Sequence, residues 1–201
     1  PLRRPREQAA RIVQELGRLL RAATASVGSG NVDDAVRTLE HARATEVPLA
    51  DLRAAAREGL DVVRSSPLRR RHGAALRKMA ELVVPLDRAM RNTRVLVRRT
   101  VAATRLGEPV PAAYLALVDR VADAADVIAA ELAAGNLPRA AREPLADIAQ
   151  QTAQQNLERG LSAAVVLAQV RSLVVDLLQM TGLSADEARA LMPAEPRPSR
   201  D

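Results

Sequence analysis

The side chains with the clearest chemical potential are arginines concentrated in one stretch of the chain. Between Arg64 and Arg105, twelve cations accompany only two acids, Glu81 and Asp87. Up to Gly107 the chain has 22 basic and 11 acidic residues, and after it 8 and 13, so a basic half precedes an acidic half. A guanidinium-rich surface attracts anions such as nucleic acid, acidic lipid headgroups or an organic acid.

An internal role competes with anion binding for the arginines in the middle of this stretch. Folding two helices about a loop at 107–110 predicts three ion pairs in register. They are Arg98 with Asp119, Arg94 with Asp123, and Arg91 with Asp126. Because the acids recur at helical spacings of four and three, we favour a structural charge zipper between the two helices.

The run Arg69, Arg70, Arg71, His72 has no acidic counterpart nearby and is the candidate anionic surface contact. The alternative interpretation is a solvated helix start. The run lacks the aromatic side chains that stack on bases, and no nucleic-acid-binding module is recognisable, so nucleic acid is not an expected partner.

Other reactive constellations are absent from the sequence. There is no cysteine, and neither His41 nor His72 has a carboxylate in the Glu-x-x-His arrangement of helical metal sites. The three acids of the zipper could bind a cation, but no second acidic helix accompanies them. Phosphate loops, nucleophile elbows and Ser/His/Asp patterns are also missing. We therefore expect no catalytic residue, metal or cofactor, and a protein that is not an enzyme.

The composition predicts an all-α fold. The chain has no Phe or Trp and one Tyr, so its core must come from Leu, Val and Ala, which suit closely packed helices. Periodicity and breakers predict an antiparallel helical bundle in a single domain, 1–192, followed by a disordered Pro-rich tail, 193–201. The expected helices cover about 5–26, 31–45, 48–66, 68–106, 111–134, 138–158 and 162–180, with a short last helix opened by a capping box of Ser184 and Glu187.

The longest helix, about 68–106, organises this bundle. Its apolar seam repeats at spacings of three and four. The seam residues are Leu76, Met79, Val83, Leu86, Met90, Thr93, Val97, Thr100 and Thr104. Pro85 predicts a kink or two abutting helices. The short connection after Gly107 predicts that the next helix, with its own seam from Leu117 to Leu132, is an antiparallel neighbour.

The helix at 162–180 is apolar nearly all round, which predicts a central place in the bundle. The longest charge-free apolar stretch, Leu161 to Val170, is shorter than the roughly 20 residues of a membrane span, so we expect no span within this chain. The chain starts at Pro1 without a methionine, which suggests a fragment of a longer protein.

Several segments carry a family resemblance. They are Leu39–Thr45, Ser66–His72, Pro85–Arg99 and Gly107–Pro111. Over about residues 30–135 the chain resembles the soluble portion of actinobacterial membrane proteins of the fusaric acid resistance, or aromatic acid exporter, family. In that family a transmembrane half precedes a helical cytoplasmic domain, and the resemblance brings no site residues with it.

The resemblance implies a non-catalytic regulatory or assembly domain of a membrane exporter of aromatic carboxylic acids, at the cytoplasmic face of the plasma membrane. Its implied partner is its own transmembrane domain, with a homo-oligomer and anionic lipid headgroups as further candidates. Arg3, Arg4 and Arg6 at the start of the chain fit the positive-inside rule. The alternative is a free-standing helical-bundle adaptor or signalling protein that acts through protein–protein contacts.

Overall fold

The computed structural model describes the backbone of residues 3–65, 70–155 and 160–194, and the side chains of 4–61, 77–155 and 160–194. Within these ranges the chain is helical, without a β-strand, which confirms the all-α fold class. The α-helices are α1 (Arg3–Ser29), α2 (Val32–Ala44), α3 (Glu46–Ser65), α4 (Arg70–Leu106), α5 (Ala112–Ala133), α6 (Arg142–Ala153), α7 (Leu161–Met180) and α8 (Ala185–Ala190), with a 3-10 turn at Arg139–Ala141.

Local signals explain several helix ends. The Asn31 side chain accepts a hydrogen bond from the Asp34 amide at 3.1 Å and caps α2, a role that asparagine commonly has at the start of a helix. Ser184 and Glu187 form the expected capping box of α8. Gly107 ends α4 with φ +63°, a conformation that glycine adopts without a side-chain clash, and the next amide bonds back to the Ala103 carbonyl.

The structure excludes a helix start at Pro48 and one of the two alternatives expected at Pro85. Pro48 does not open a helix, because α3 begins at Glu46 and Pro48 lies in its first turn, where a missing N–H costs no helical hydrogen bond. Pro85 does not divide α4 into two abutting helices, since one helix continues through it. Pro85 is buried there and removes one backbone hydrogen bond from the ladder.

Four long helices form the centre of the bundle in the cyclic order α1, α4, α7, α5. Contacts between α1 and α5 join early residues of one to late residues of the other, and the α4–α7 contacts run the same way, so both pairs are antiparallel. The α2–α3 segment packs on α1 and α4, whereas α6 packs on α5 and α7, and α8 on α7.

The predicted antiparallel pairing of α4 with α5 is wrong. Extensive packing joins α5 to α1 and α4 to α7, so α4 and α5 lie across the bundle from each other. Both predicted seams are nevertheless in the core: Met79 through Thr100 in α4 and Leu117 through Leu132 in α5 have buried seam positions. Heptad spacing identified the apolar faces but not the helix that covers each one.

Large aliphatic side chains and one aromatic side chain, Tyr114, fill the core. The fully buried ones include Leu16, Leu20, Leu49, Leu86, Met90, Leu96, Ile128, Leu145, Ile148 and Leu173. Burying each side chain of this size contributes roughly 1.5–3 kcal/mol before conformational entropy is counted. By length and composition α7 could also cross a membrane, but 56% of its most apolar window is buried among the other helices.

Candidate functional site

The predicted anionic surface contact cannot be placed, because the side chains of Arg69, Arg70, Arg71 and His72 lie outside the described residues. The six residues of the predicted charge zipper are all described. Their positions decide whether the acidic face of α5 neutralises α4.

The acids of the zipper contact α1 instead of α4. Arg21 Nη2 donates to Asp123 Oδ1 at 2.6 Å and to Asp126 Oδ2 at 2.7 Å. Thr24 Oγ1 donates to Asp119 Oδ1 at 2.7 Å. The predicted partners of these acids are therefore wrong: Asp119, Asp123 and Asp126 bond to α1 and not to α4.

A close approach of α1 and α5 explains this pairing. Gly17 lies in the middle of α1, and a Cβ built there would be 3.2 Å from the Ala122 carbonyl oxygen and 3.1 Å from Asp126 Oδ1. Since glycine has no side chain to separate the two backbones, α1 can approach α5 closely one turn before Arg21. That turn brings the guanidinium to both carboxylates.

The arginines of the zipper are distributed over other partners. Arg91 Nη2 bonds to Asp87 Oδ2 in its own helix at 2.7 Å, and Arg94 bonds to Glu46 at the start of α3. Arg94 thereby lowers the pKa of Glu46. Arg98 is exposed and forms no ion pair with any residue whose side chain is described.

A second polar cluster joins the α4–α5 loop to α7. Glu108 in the loop accepts hydrogen bonds from Ser162 and from Arg99 Nη2, the latter at 2.7 Å, while Arg99 Nε donates to Ser162 Oγ at 2.8 Å. The Ser162 bond, followed by the Arg99 bond, lowers the pKa of Glu108. A carboxylate so stabilised is a weak proton acceptor, so the cluster is suited to holding the loop and not to activating the Ser162 hydroxyl.

The feature that sequence reasoning missed is an acid inside the α4–α7 interface. The Asp176 side chain is only 7% exposed, and its Oδ2 accepts a hydrogen bond from Asn92 Nδ2 at 2.7 Å. Arg88 Nε is 3.7 Å from Asp176 Oδ1, which is close enough for attraction but too long for a hydrogen bond. Burial raises the pKa of Asp176 to about 6, against the smaller opposing effects of Arg88 and Asn92.

Asp176 forms part of the wall of a polar cleft between α4, α7 and α8, which we call the Arg88 cleft. Its volume is about 450 Å³. Its walls carry three guanidinium groups, one carboxyl, two amides, a hydroxyl and one apolar side chain. The residues are Arg88, Arg91, Arg189, Asp176, Asn92, Gln179, Ser172 and Val175.

A larger groove, about 640 Å³, lies on the other side of α4, against α3. Its lining combines aliphatic and charged side chains. The aliphatic ones are Ala56, Leu60, Ala80, Val83 and Val84, and the charged ones are Arg53, Arg57, Asp87, Arg88 and Arg91. Arg88 and Arg91 therefore line both this groove and the Arg88 cleft.

One sequence signal could have located the Arg88 cleft. Asp176 interrupts a run of aliphatic residues in a helix expected to be central, and a buried acid requires a partner on a neighbouring helix. Arg88 and Asn92, four residues apart on α4, supply that partner. Finding them from sequence needed the α4–α7 pairing, which periodicity does not contain.

In the described part of the chain, no three metal-ligating side chains come together.

Comparisons with known proteins add one relative. The chain is 29% identical, over 202 aligned residues, to an uncharacterized protein of Corynebacterium glutamicum. The match covers 96% of this chain and 51% of that protein, so the chain spans about half the length of the curated relative it matches. No family model and no solved structure matches the chain.

Proposed function

We propose that the chain is a non-catalytic regulatory or assembly domain of a membrane exporter of aromatic carboxylic acids, held at the cytoplasmic face of the plasma membrane. The observation that carries the proposal is the use made of Pro85–Arg99, the longest segment of the family resemblance. Polar side chains of this segment form hydrogen bonds and ion pairs with other helices and with the loop that follows α4. The bonds are Asp87 to Arg53, Asn92 to Asp176, Arg94 to Glu46, and Arg99 to Ser162 and Glu108.

These bonds suit a domain whose work is packing and assembly. Each joins α4 to another helix or to the loop that follows it, so the segment with the clearest family character is also the one that fixes α4 in the bundle. The hydroxyl of Ser162 and the carboxylate of Glu108 bond to each other, but Ser162 is buried and the pKa of Glu108 is lowered. That arrangement favours a structural role over nucleophilic chemistry.

The length of the relative also supports a part in a larger protein. About half of the C. glutamicum protein lies outside the match, which is enough chain for a second domain of similar size. In the proposed arrangement that second domain is the transmembrane half. The helical domain then acts on it through helix packing and by forming oligomers.

The placement is tested with the complete gene product. Cells expressing it with a C-terminal tag are fractionated, and the product is expected in the membrane fraction, resistant to high salt and carbonate and released by detergent. A product that remains in the supernatant and binds a protein partner there would replace this proposal with the free-standing adaptor.

The transport role is tested by deleting this domain from the complete protein. Cells are loaded with radiolabelled 4-hydroxybenzoate, and efflux is followed with the complete protein, with the deletion and with an empty vector. We expect faster efflux with the complete protein, and a deletion that inserts at the same level but exports more slowly. Equal efflux from the complete protein and the empty vector would reject an aromatic acid exporter.

A further inference from the structure

The Arg88 cleft combines an excess of positive charge with hydrogen-bonding groups and limited apolar surface. Three guanidinium groups and one carboxyl line it, so the lining has a net positive charge even when Asp176 is ionised. Its amide and hydroxyl groups can bond to a polar ligand, and Val175 is its single aliphatic side chain. Volumes of this order accommodate small ligands.

The three guanidinium groups differ in how far their charge is already compensated. Arg91 bonds to Asp87 at 2.7 Å and Arg189 to Asp186 at 3.4 Å, each within its own helix. Arg88 donates instead to a neutral acceptor, Gln179 Oε1, at 3.2 Å. Its Nε is buried and has no hydrogen-bond acceptor among the described residues.

Arg88 is therefore the cation in the cleft whose charge is least compensated by a neighbouring acid. Its side chain is 40% exposed, so part of the guanidinium is accessible from the cleft although Nε is not. Guanidinium groups bind carboxylates and phosphates through paired N–H donors, and such bonds are about twice as strong as neutral ones. Asp176, 3.7 Å away, compensates the charge of Arg88 only in part, and an anion in the cleft would compensate the remainder.

We propose that the Arg88 cleft is a binding site for a small polar oxyanion, a carboxylate or a phosphate group, held chiefly by Arg88 with Arg91 and Arg189 at its rim. The polar lining excludes a large apolar ligand and gives Asn92 and Gln179 the role of orienting the oxyanion. The site does not depend on the proposed transport function, since its residues belong to this domain alone.

Asp176 is the internal competitor for the ligand. The charged groups that face it are Arg88 and Arg91 of α4 and Arg189 of α8, while α5 and α6 contribute no charged side chain to the cleft. When Asp176 is ionised, it attracts Arg88 and repels an incoming anion. Protonation near pH 6 removes both effects, so binding tightens as the pH falls through that value.

Binding is tested on the purified chain by calorimetry with inorganic phosphate and, separately, with succinate. The matched variants are Arg88→Gln and Arg98→Gln, which remove the same charge from α4, inside the cleft and on an exposed part of the helix. We expect Arg88→Gln to weaken binding about tenfold or more and Arg98→Gln to leave it nearly unchanged.

The two ligands distinguish the source of the oxyanion, because binding of one and not the other identifies a phosphate or a carboxylate site. Absence of binding by both ligands, or equal losses in the two variants, would overturn the proposal. Circular dichroism checks that both variants remain folded. The Arg88 Nε–H resonance provides a local readout in the wild-type protein, since it should shift on titration while that of Arg98 stays in place.

The competition by Asp176 is tested with sulfate, whose charge does not change between mildly acidic and neutral pH. Wild-type affinity should rise at least about threefold from pH 8 to pH 5. Asp176→Asn should bind at pH 8 as tightly as the wild type does at pH 5, and should vary little with pH. A variant that retains the wild-type pH profile would reject Asp176 as the competitor.

Discussion

The two antiparallel interfaces α1–α5 and α4–α7 use charge in opposite ways. In α1–α5 the carboxylates of Asp123 and Asp126 are 71% and 46% exposed and both bond to Arg21, which is itself 40% exposed. In α4–α7 the acid is 93% buried and its cation is too far away for a hydrogen bond. One interface places ion pairs at its solvent edge, and the other places an incompletely paired acid in its interior.

This difference separates charges that accompany packing from a charge that opposes it. Exposed ion pairs contribute little, because water already solvates both partners. A buried carboxylate loses that solvation, and one neutral hydrogen bond does not replace it. The α4–α7 interface therefore retains a group that lowers its stability, which is typical of a position kept for function.

The largest expected effect comes from replacing the buried acid. The pKa of Asp176, about 6, lies above the ordinary value of 3.8, so the folded state binds the proton more readily than the unfolded state. Stability contributed by this group is complete at low pH and falls as the pH rises through about 4 to 6. The difference corresponds to about 3 kcal/mol.

Asp176→Asn removes that loss and keeps an acceptor for Asn92. The free energy of unfolding of the variant minus that of the wild type should be larger at pH 8 than at pH 4, by up to about 3 kcal/mol. Urea denaturation at several pH values measures this gain. Asp51→Asn, on an exposed position of α3, is the control and should show a much smaller pH-dependent difference. A flat difference for Asp176→Asn would mean that the carboxyl is not held at a raised pKa.

The next effect tests the close approach of α1 and α5. Gly17→Leu places a side chain where a Cβ alone would be 3.2 Å from the Ala122 carbonyl oxygen, so the helices must separate. Overpacking of this kind should cost about 1–3 kcal/mol in the free energy of unfolding, measured by urea denaturation.

Gly28→Leu is the matched control in the same helix, because nothing lies within 4 Å of the Cβ position of Gly28. That substitution should be neutral or slightly stabilising, since leucine favours helix more than glycine does. Equal destabilisation by both substitutions would show that α1 does not depend on the close approach.

The sequence predicts the helices of this molecule better than it predicts which helices pack together. The helices, their seams and the caps at Asn31 and Ser184 were predictable, because periodicity and capping depend on residues close together in the chain. The partner of each seam was not predictable, because an aliphatic stripe fits several helices equally well. Because α5 was predicted to lie beside α4, the ion pairs predicted for Asp119, Asp123 and Asp126 were wrong as well.

The Arg88 cleft could not be predicted from the sequence, for the same reason. Arg88, Asp176 and Arg189 are far apart in sequence and meet only through the packing of α7 on α4 and of α8 on α7. Gly17 offered a usable clue, since a glycine within a strongly amphipathic helix often marks a close contact between backbones. It identifies α1 as a close-packing helix but does not identify its partner.

The smallest effect concerns the exposed ion pairs themselves. Arg21→Gln removes both bonds to Asp123 and Asp126, yet should lower the free energy of unfolding by only about 1 kcal/mol or less, because all three side chains are substantially exposed. The loss should diminish further in 1 M salt, where the screening length is about 3 Å. Arg18→Gln is the control, since Arg18 pairs only within α1, with Glu15, and its side chain is 65% exposed. If Arg21→Gln instead cost several kcal/mol and the loss persisted in salt, the α1–α5 charges would be structural determinants equal to packing, and the contrast with the α4–α7 interface would fail.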